Sequence, residues 1–410
     1  MRFLPLLASL FLLGLPLSGA AGDDRAFSVN VESDGLDFNP GDGACDSDTE
    51  TAGDQCTLRA AVMESNAVLG TDTITLPAGV FSLSLKNSGF DAEDATAGDL
   101  DVTDDLVVQG SGQPNTVISG KKAKDRIFDA FADLEIMDLT LTGGSASSKN
   151  DDDILPGGGG CVRGRAVLTL DTVLVVKCKA EDDGGGLDLL SGTLSIIDSA
   201  FVKNSAKQDG GGVQVEPANT TIEGSLFLSN KSKDEAGGFG IDGGFATVTN
   251  STFSGNKAKA EGGGILNEEG GTLELVHVTF ANNKAKQGES IHVNDTLNPP
   301  STTATNTIFF SKKKGGANSC RQSQATAIVS GGGNVDNGSS CGLDDPSDLS
   351  DTDPLLAKKV EDNGGPTPTH ALETDSPAVD ITDQNCEAVD QRGVSRDTDC
   401  DAGAFELTAP

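Results

Sequence analysis

The sequence has no tryptophan and no tyrosine, and only three histidines among 410 residues. Without large amphipathic rings, a sugar-stacking platform built on broad aromatic faces is disfavoured. The histidines (His277, His292, His370) are scattered and no CxxC occurs, so no metal centre is assigned. Positive charge is also scarce. Twenty-nine Lys and Arg stand against 63 Asp and Glu, a net charge of −34, which disfavours nucleic acid and anionic membranes as partners. After the first residues no segment supplies the ~20 apolar residues of a membrane-spanning helix, and the C-terminal FELTAP reads as carrying no hydrophobic tail.

Residues 1–20 read as a secretory signal. Arg2 supplies positive charge, Phe3 to Leu17 an apolar stretch, and Ser18, Gly19 and Ala20 a small-residue cleavage site. The expected location is outside the cell or on its surface, with the periplasm as an alternative. Eight cysteines in an exported chain favour disulfides. They fall as sequential couples, Cys45/Cys56, Cys161/Cys178, Cys320/Cys341 and Cys386/Cys400. Local pairing is the expectation, although Cys161 and Cys178 could equally be two buried thiols within one repeat.

What the chain has in abundance is glycine, 52 residues, and it is periodic. Gly160, Gly186, Gly212, Gly238, Gly264 and then Ser290 recur every 26 residues, and from Gly186 on each is followed by an apolar residue. A second mark travels with them: Phe201, Phe227 and Phe253 each precede Asn204, Asn230 and Asn256 by three, with Phe280 and Asn283 following after 27. The extra residue is placed in the turn of Glu268 to Gly271. Between the marks lie alternating runs such as TLSIIDSAF and ATVTNSTF, the period of half-buried strands. Glycine triplets and β-branched runs disfavour a helical repeat. Each repeat therefore reads as strand, turn, strand, turn. Stacking such repeats gives an all-β parallel β-helix solenoid.

About nine coils stacked at ~4.8 Å would make a rod of roughly 40 Å. Equivalent side chains then align: Phe201, Phe227 and Phe253 as an internal aromatic stack, Asn204, Asn230 and Asn256 as an amide ladder at a turn. The glycine column is expected to mark a turn with positive φ. The organisation reads as a cap region over 21–98, with a short apolar helix crossing the open end, a β-helix over 99–340, and an Asp- and Gly-rich closing segment over 341–410. Residues 145–156 read as an acidic surface insertion, and LNPPSTTATN, from 297, as a linker-like loop.

One repeated chemical feature lies between the marks. Each turn carries lysine: Lys179, Lys207, Lys231 and Lys233, Lys257 and Lys259, Lys284 and Lys286. Lys207, Lys233, Lys259 and Lys286 each stand three residues after the repeat asparagine. At ~4.8 Å neighbouring ammonium groups repel by about 1 kcal/mol in water. Asp209, Glu235 and Glu261 are expected to neutralise them. The sharper reading is a basic column on an acidic protein that binds a linear polyanion such as an acidic polysaccharide, or another host or cell-surface ligand.

Catalysis is the competing reading. Glycosidase chemistry needs two carboxylates ~5–9 Å apart; Asp171 and Asp198 recur near one strand end. Lyase chemistry needs Ca2+ with a nearby base; Arg163 and Arg165 lie near Asp182 and Asp183. With 63 acids, such coincidences are cheap, and solvated turn charge is the plainer reading. The C-terminal acids (Asp344, Asp345, Asp348, Asp351, Asp353, Asp397, Asp399, Asp401) are a candidate Ca2+ site without an EF-hand or nonapeptide motif.

The GGG-apolar and FxxN pairing resembles the repeats of chlamydial polymorphic outer-membrane proteins. Cys56 to Ala61 (CTLRAA), with Asn66 and DTITLPAGVFSL, resembles the CSLREA motif of secreted bacterial β-helix proteins, departing from it at Thr57 and Ala60. GGPTPTHAL, SPAVD and DQRGVSRDTDCDAGAFE resemble the closing segment of that group. The resemblance implies a right-handed parallel β-helix exported to the surface or beyond. Relatives with membrane barrels act as adhesins. The reading reached is an exported scaffold that is adhesive or ligand-binding and without chemistry of its own. The alternative is a polysaccharide lyase or glycoside hydrolase on a β-helix.

Overall fold

A computed structural model describes residues 22–87, 94–147, 157–294, 298–312, 316, 318–323 and 328–408. The expected signal segment, residues 1–20, and most of the acidic insertion lie outside the described residues. The chain winds through three parallel sheets of eleven, ten and nine strands. Sheet I runs from Ala26–Ser28 to Ile328–Ser330, sheet II from Gly79–Ser82 to Val335–Asp336, and sheet III from Leu100–Val102 to Cys320–Gln322. One coil visits the sheets in the order III, I, II: Leu187–Leu189, Thr193–Ile197, Ala200–Val202. Every ladder pair within these sheets is parallel. This is a parallel β-helix, of the right-handed kind that parallel crossovers favour.

Alternation dictates what faces inward. In Ala218–Glu223 every second residue is buried, as a half-buried strand requires. Phe201, Phe227, Phe253, Phe280 and Phe309 are fully buried and stack with ring centroids 5.2, 4.5, 5.3 and 5.4 Å apart. Beside them runs the amide ladder. The backbone N–H of Asn204 donates to the Asn230 side-chain oxygen at 3.0 Å, Asn230 to Asn256 at 3.0 Å, and Asn256 to Asn283 at 2.9 Å. Each side-chain nitrogen donates to the carbonyl of the earlier coil's ring position: Val175, Phe201, Phe227, Phe253. Polar groups buried at the turn are thus satisfied. A hydroxyl ladder, Ser199, Ser225 and Ser251, does the same at the corner between sheets I and II. It repeats two residues before each Phe, a signal the sequence carried.

Three expectations are corrected. The glycine column at 186, 212, 238 and 264 is not the positive-φ turn. That conformation falls two residues earlier, at Gly184, Gly210, Gly262 and Gly288, with Ala236 in the same place. The later glycines are there for space: a Cβ on Gly212 would lie 2.5 Å from the Gly238 carbonyl oxygen. Second, Gly160 is out of step. Val162 pairs with Leu187, a step of 25, so Cys161 takes the place of Gly186. Third, the linker-like run is partly a strand. Ser301–Thr305 joins sheet I beside Thr272–Val276, because Thr302 and Ala304 fit the inward face. The extra residue of the fourth repeat lies where expected, since Asp242 pairs with Glu268 but Phe245 with Thr272.

At the open start of the rod, helix Leu58–Asn66 packs on the first strands. Thr57 caps it, its hydroxyl oxygen accepting from Ala60 N–H at 3.1 Å. The fully buried Arg59 donates to the carbonyls of Ala95, Gly98 and Asp99 and pairs with Asp34 at 2.6 Å.

The closing segment does more than end the rod. It folds back along the flank of sheet II. Thr367 donates to the Gly224 carbonyl at 2.6 Å, Thr252 bonds Gln391 at 2.6 Å, and Ser254 bonds His370 at 2.9 Å. A second small core forms there from Ile308, Val335, Leu372, Ala378, Ala402 and Phe405. Disulfides join Cys45–Cys56, Cys161–Cys178, Cys320–Cys341 and Cys386–Cys400.

Candidate functional site

Two charged faces of opposite sign lie on either side of the turn between sheets II and III. The first is basic. After each repeat asparagine the chain makes one extra parallel rung, Lys179, Ser205, Lys231, Lys257, Lys284 in register. The next residue points inward and is buried: Ala180, Ala206, Ser232, Ala258, Ala285. The residue after that points out again. This alternation sets Lys231/Lys233, Lys257/Lys259 and Lys284/Lys286 as two exposed columns. Gly185, Gly211, Gly237 and Gly263 make room for it. A Cβ on Gly237 would lie 2.6 Å from the Lys257 backbone nitrogen.

These three lysine pairs and Lys312 line a groove of about 760 Å³. Lys207 pairs with Glu181 at 2.6 Å; among the described residues none of the groove lysines has an ion-pair partner. Asp209, Glu235 and Glu261 do not neutralise the column as expected. Asp183 and Asp209 instead accept the backbone N–H of Asp209 and Glu235 at 2.7 Å each. Glu261 accepts from Gln287 at 2.6 Å and Asn294 at 3.1 Å. The turn acids thus form their own ladder, facing sheet III.

That ladder is one wall of the second face, an acidic trough along the outside of sheet III. Its floor is the outward column Arg163, Asp188, Gln214, Gly240, Leu266, His292. Its other wall is Asp242 and Glu268, paired in register where the chain leaves the sheet, with Glu216 close to Asp242. Burial and then neighbouring carboxylates push Asp183 and Glu235 up to about 7. The same causes push Asp242 to about 7 and Glu268 to about 8. Asp188 is raised well above the usual range, first by burial. Such carboxyls stay partly protonated near neutral pH.

The catalytic coincidences in the sequence fare differently. Asp198 lies near Asp171 and is pushed up to about 6, by burial first and Asp171 next; in register, however, Asp171 pairs with Ile197. Arg163 and Arg165 both bond Asp129, as does Arg126 at 2.8 Å, so they form a buried ion cluster beside the trough. The C-terminal acids are spread over local turns, such as Asp345 accepting from Ser347 at 2.6 Å. Among the described residues no three His, Cys, Asp or Glu converge at metal-ligand spacing. No helix there is long and apolar enough to cross a membrane. The trough escaped the sequence reading because its columns mix residue types.

Residues 250–268, running from one FxxN through the next glycine triplet, match the Chlamydia polymorphic membrane protein (Chlamydia_PMP) repeat. A solved structure described as the crystal structure of pectate lyase Pel9A aligns with a TM-score of 0.49 at 13% identity, covering 95% of this chain and 98% of that one. No curated protein matches. The chain is a parallel β-helix protein that carries the polymorphic membrane protein repeat.

Proposed function

We propose that this chain is an exported, adhesive or ligand-binding scaffold whose lysine ladder binds a linear polyanion, with an acidic polysaccharide as the ligand class. The observation that carries it is the groove of Lys231, Lys233, Lys257, Lys259, Lys284 and Lys286, exposed and without ion-pair partners among the described residues. Like charges one coil apart repel by about 1 kcal/mol per pair even in water. A polyanion laid along the rod relieves that repulsion at every rung. It also suits ammonium groups, which act as point charges on flexible stems. The test is binding to a panel of acidic and neutral polysaccharides. Binding confined to acidic chains, weakened by salt and lost in the Lys233→Ser, Lys259→Ser, Lys286→Ser variant, is the expected result. Unchanged binding in that variant overturns the assignment.

The second reading is a polysaccharide-active enzyme working in the trough. It is favoured by Asp183, Glu235, Asp242 and Glu268, carboxyls with pKa values of about 7 to 8. A protonated carboxyl opposite an ionised one is the equipment of a glycosidase. A reducing-end assay on the polysaccharides that bind separates the two: turnover abolished by Asp242→Asn selects the enzyme, binding without turnover the scaffold.

A further inference from the structure

The trough is richest in unpaired oxygen beside Gly240. Gln214 on the preceding coil is 2% exposed. Its side-chain oxygen has no partner. Oδ1 of Asp242 and Oδ1 of Asp188 are buried and unpartnered too. Gly240 is not needed for a turn, since its φ lies outside the left-handed region. A Cβ there would fall 1.9 Å from Gln214 Oε1, so only glycine leaves room for the Gln214 amide to lie over this rung with its oxygen unmet. Glu268 pairs with Asp242 in register and Glu216 lies close to it, while Asp209 faces Asp242 and Glu235 faces Glu268 from the opposite wall.

The amide oxygen is an acceptor, and so is each carboxyl once ionised; a buried acceptor left unmet costs roughly 1–3 kcal/mol. We propose that a hard divalent cation of the Ca2+ class binds beside Gly240, held by the Gln214 amide oxygen and the Asp242 carboxylate, with Glu216 and Glu268 as flanking carboxylates. A set of oxygens alone, with no thiolate or imidazole at its centre, selects Ca2+ over zinc or copper. Because three carboxylates do not converge on one point, water completes the shell. Affinity then falls in the range of about 10⁻⁴ to 10⁻³ M of open extracellular sites.

The test is calorimetric titration of the chelator-treated full chain with CaCl2, alongside its melting temperature in CaCl2 and in KCl of equal ionic strength. Saturable heat and a rise in melting temperature specific to Ca2+ are expected. Asp242→Asn and Gly240→Ala should each weaken binding by at least about 10-fold, while Asp345→Asn with Asp399→Asn leaves it unchanged. Circular dichroism checks that each variant folds; Glu268→Gln, which relieves repulsion, replaces any that does not. No Ca2+-specific heat or shift up to about 10 mM overturns the proposal. So does binding lost only in the Asp345/Asp399 variant.

Discussion

Cys178 stands one coil before Asn204 in the same register, and its backbone N–H donates to the Asn204 side-chain oxygen at 2.9 Å. Its disulfide partner Cys161 holds the place of Gly186. In the coils that follow, the same space is shared by a glycine and an amide: a Cβ on Gly186 would lie 3.1 Å from Asn204 Nδ2. The disulfide is therefore a covalent form of a contact that the later repeats make without covalency.

This substitution of one device for another can be reversed. Cys161→Gly with Cys178→Asn extends the amide ladder by one rung, whereas Cys161→Ser with Cys178→Ser simply opens the loop. The serine pair should lose roughly 3 kcal/mol. The Gly/Asn pair should recover about 1–2 kcal/mol of that through its two new hydrogen bonds. Denaturant unfolding of the two variants measures the difference; equal stability would refute the equivalence.

Asn256 sits mid-ladder. Replacing it by Ala orphans the Asn230 N–H and the Phe227 carbonyl, at roughly 1–3 kcal/mol for each group. Phe253→Ala, which breaks the ring stack in the same coil, should cost about 3–5 kcal/mol. Because the two side chains share one coil, the double variant should fall short of the sum. A denaturant series on both singles and the double checks all three values.

The returning C-terminal segment is fastened by Arg396, which donates to Glu406 at 2.9 Å and to Asn250 at 3.0 Å. All three side chains are buried. Arg396→Met leaves Glu406 charged and unpaired, a loss of about 3–5 kcal/mol. Limited proteolysis should then cut within 345–408 while the rod stays intact.

Stability should respond to pH through buried acids away from the trough. Asp101 is pushed up to about 7, by burial first and by Asp129 despite nearby Arg126. Asp336 and Asp401 are pushed to about 6, again by burial first. Their ordinary value is 3.8, so between about pH 4 and 7 the folded chain holds more protons than the unfolded one. Their stabilisation is complete below about pH 4 and is lost as pH rises through 6 to 7. His277 acts oppositely. Burial, then Arg396, lowers it to about 3, so its share is present above its ordinary 6.5 and lost as pH falls towards 3. In chelator the melting temperature should be higher at pH 5 than at pH 8, and Asp101→Asn should narrow that gap. An unchanged gap would refute the assignment to Asp101.

The ladders of Phe and Asn were legible because one residue type recurs at one period. Where a residue of another type fills the same role, the period misleads. Gly160 matches the 26-residue count, yet Cys161 fills the glycine's place. The positive-φ turn was misplaced within the GGG triplet because three adjacent glycines look alike, although only the first adopts that conformation. The trough could not be read, since Asp188, Gln214 and Gly240 share a column but no chemistry. The fold-back of the C-terminal segment rests on pairs such as Gln391 with Thr252, 139 residues apart, beyond any local pattern.

Each copy brings its own rung of fold, and the copies holding Lys231/Lys233, Lys257/Lys259 and Lys284/Lys286 each bring a pair of ammonium groups as well. If the lysine ladder binds a polyanion as proposed, gaining or losing such a copy lengthens or shortens the rod and changes its binding valence in the same step. A change of one coil alters affinity for a long polymer multiplicatively, as linked weak sites do, while leaving affinity for a short fragment nearly untouched. On that proposal copy number is a dial on avidity, turned without redesigning any contact.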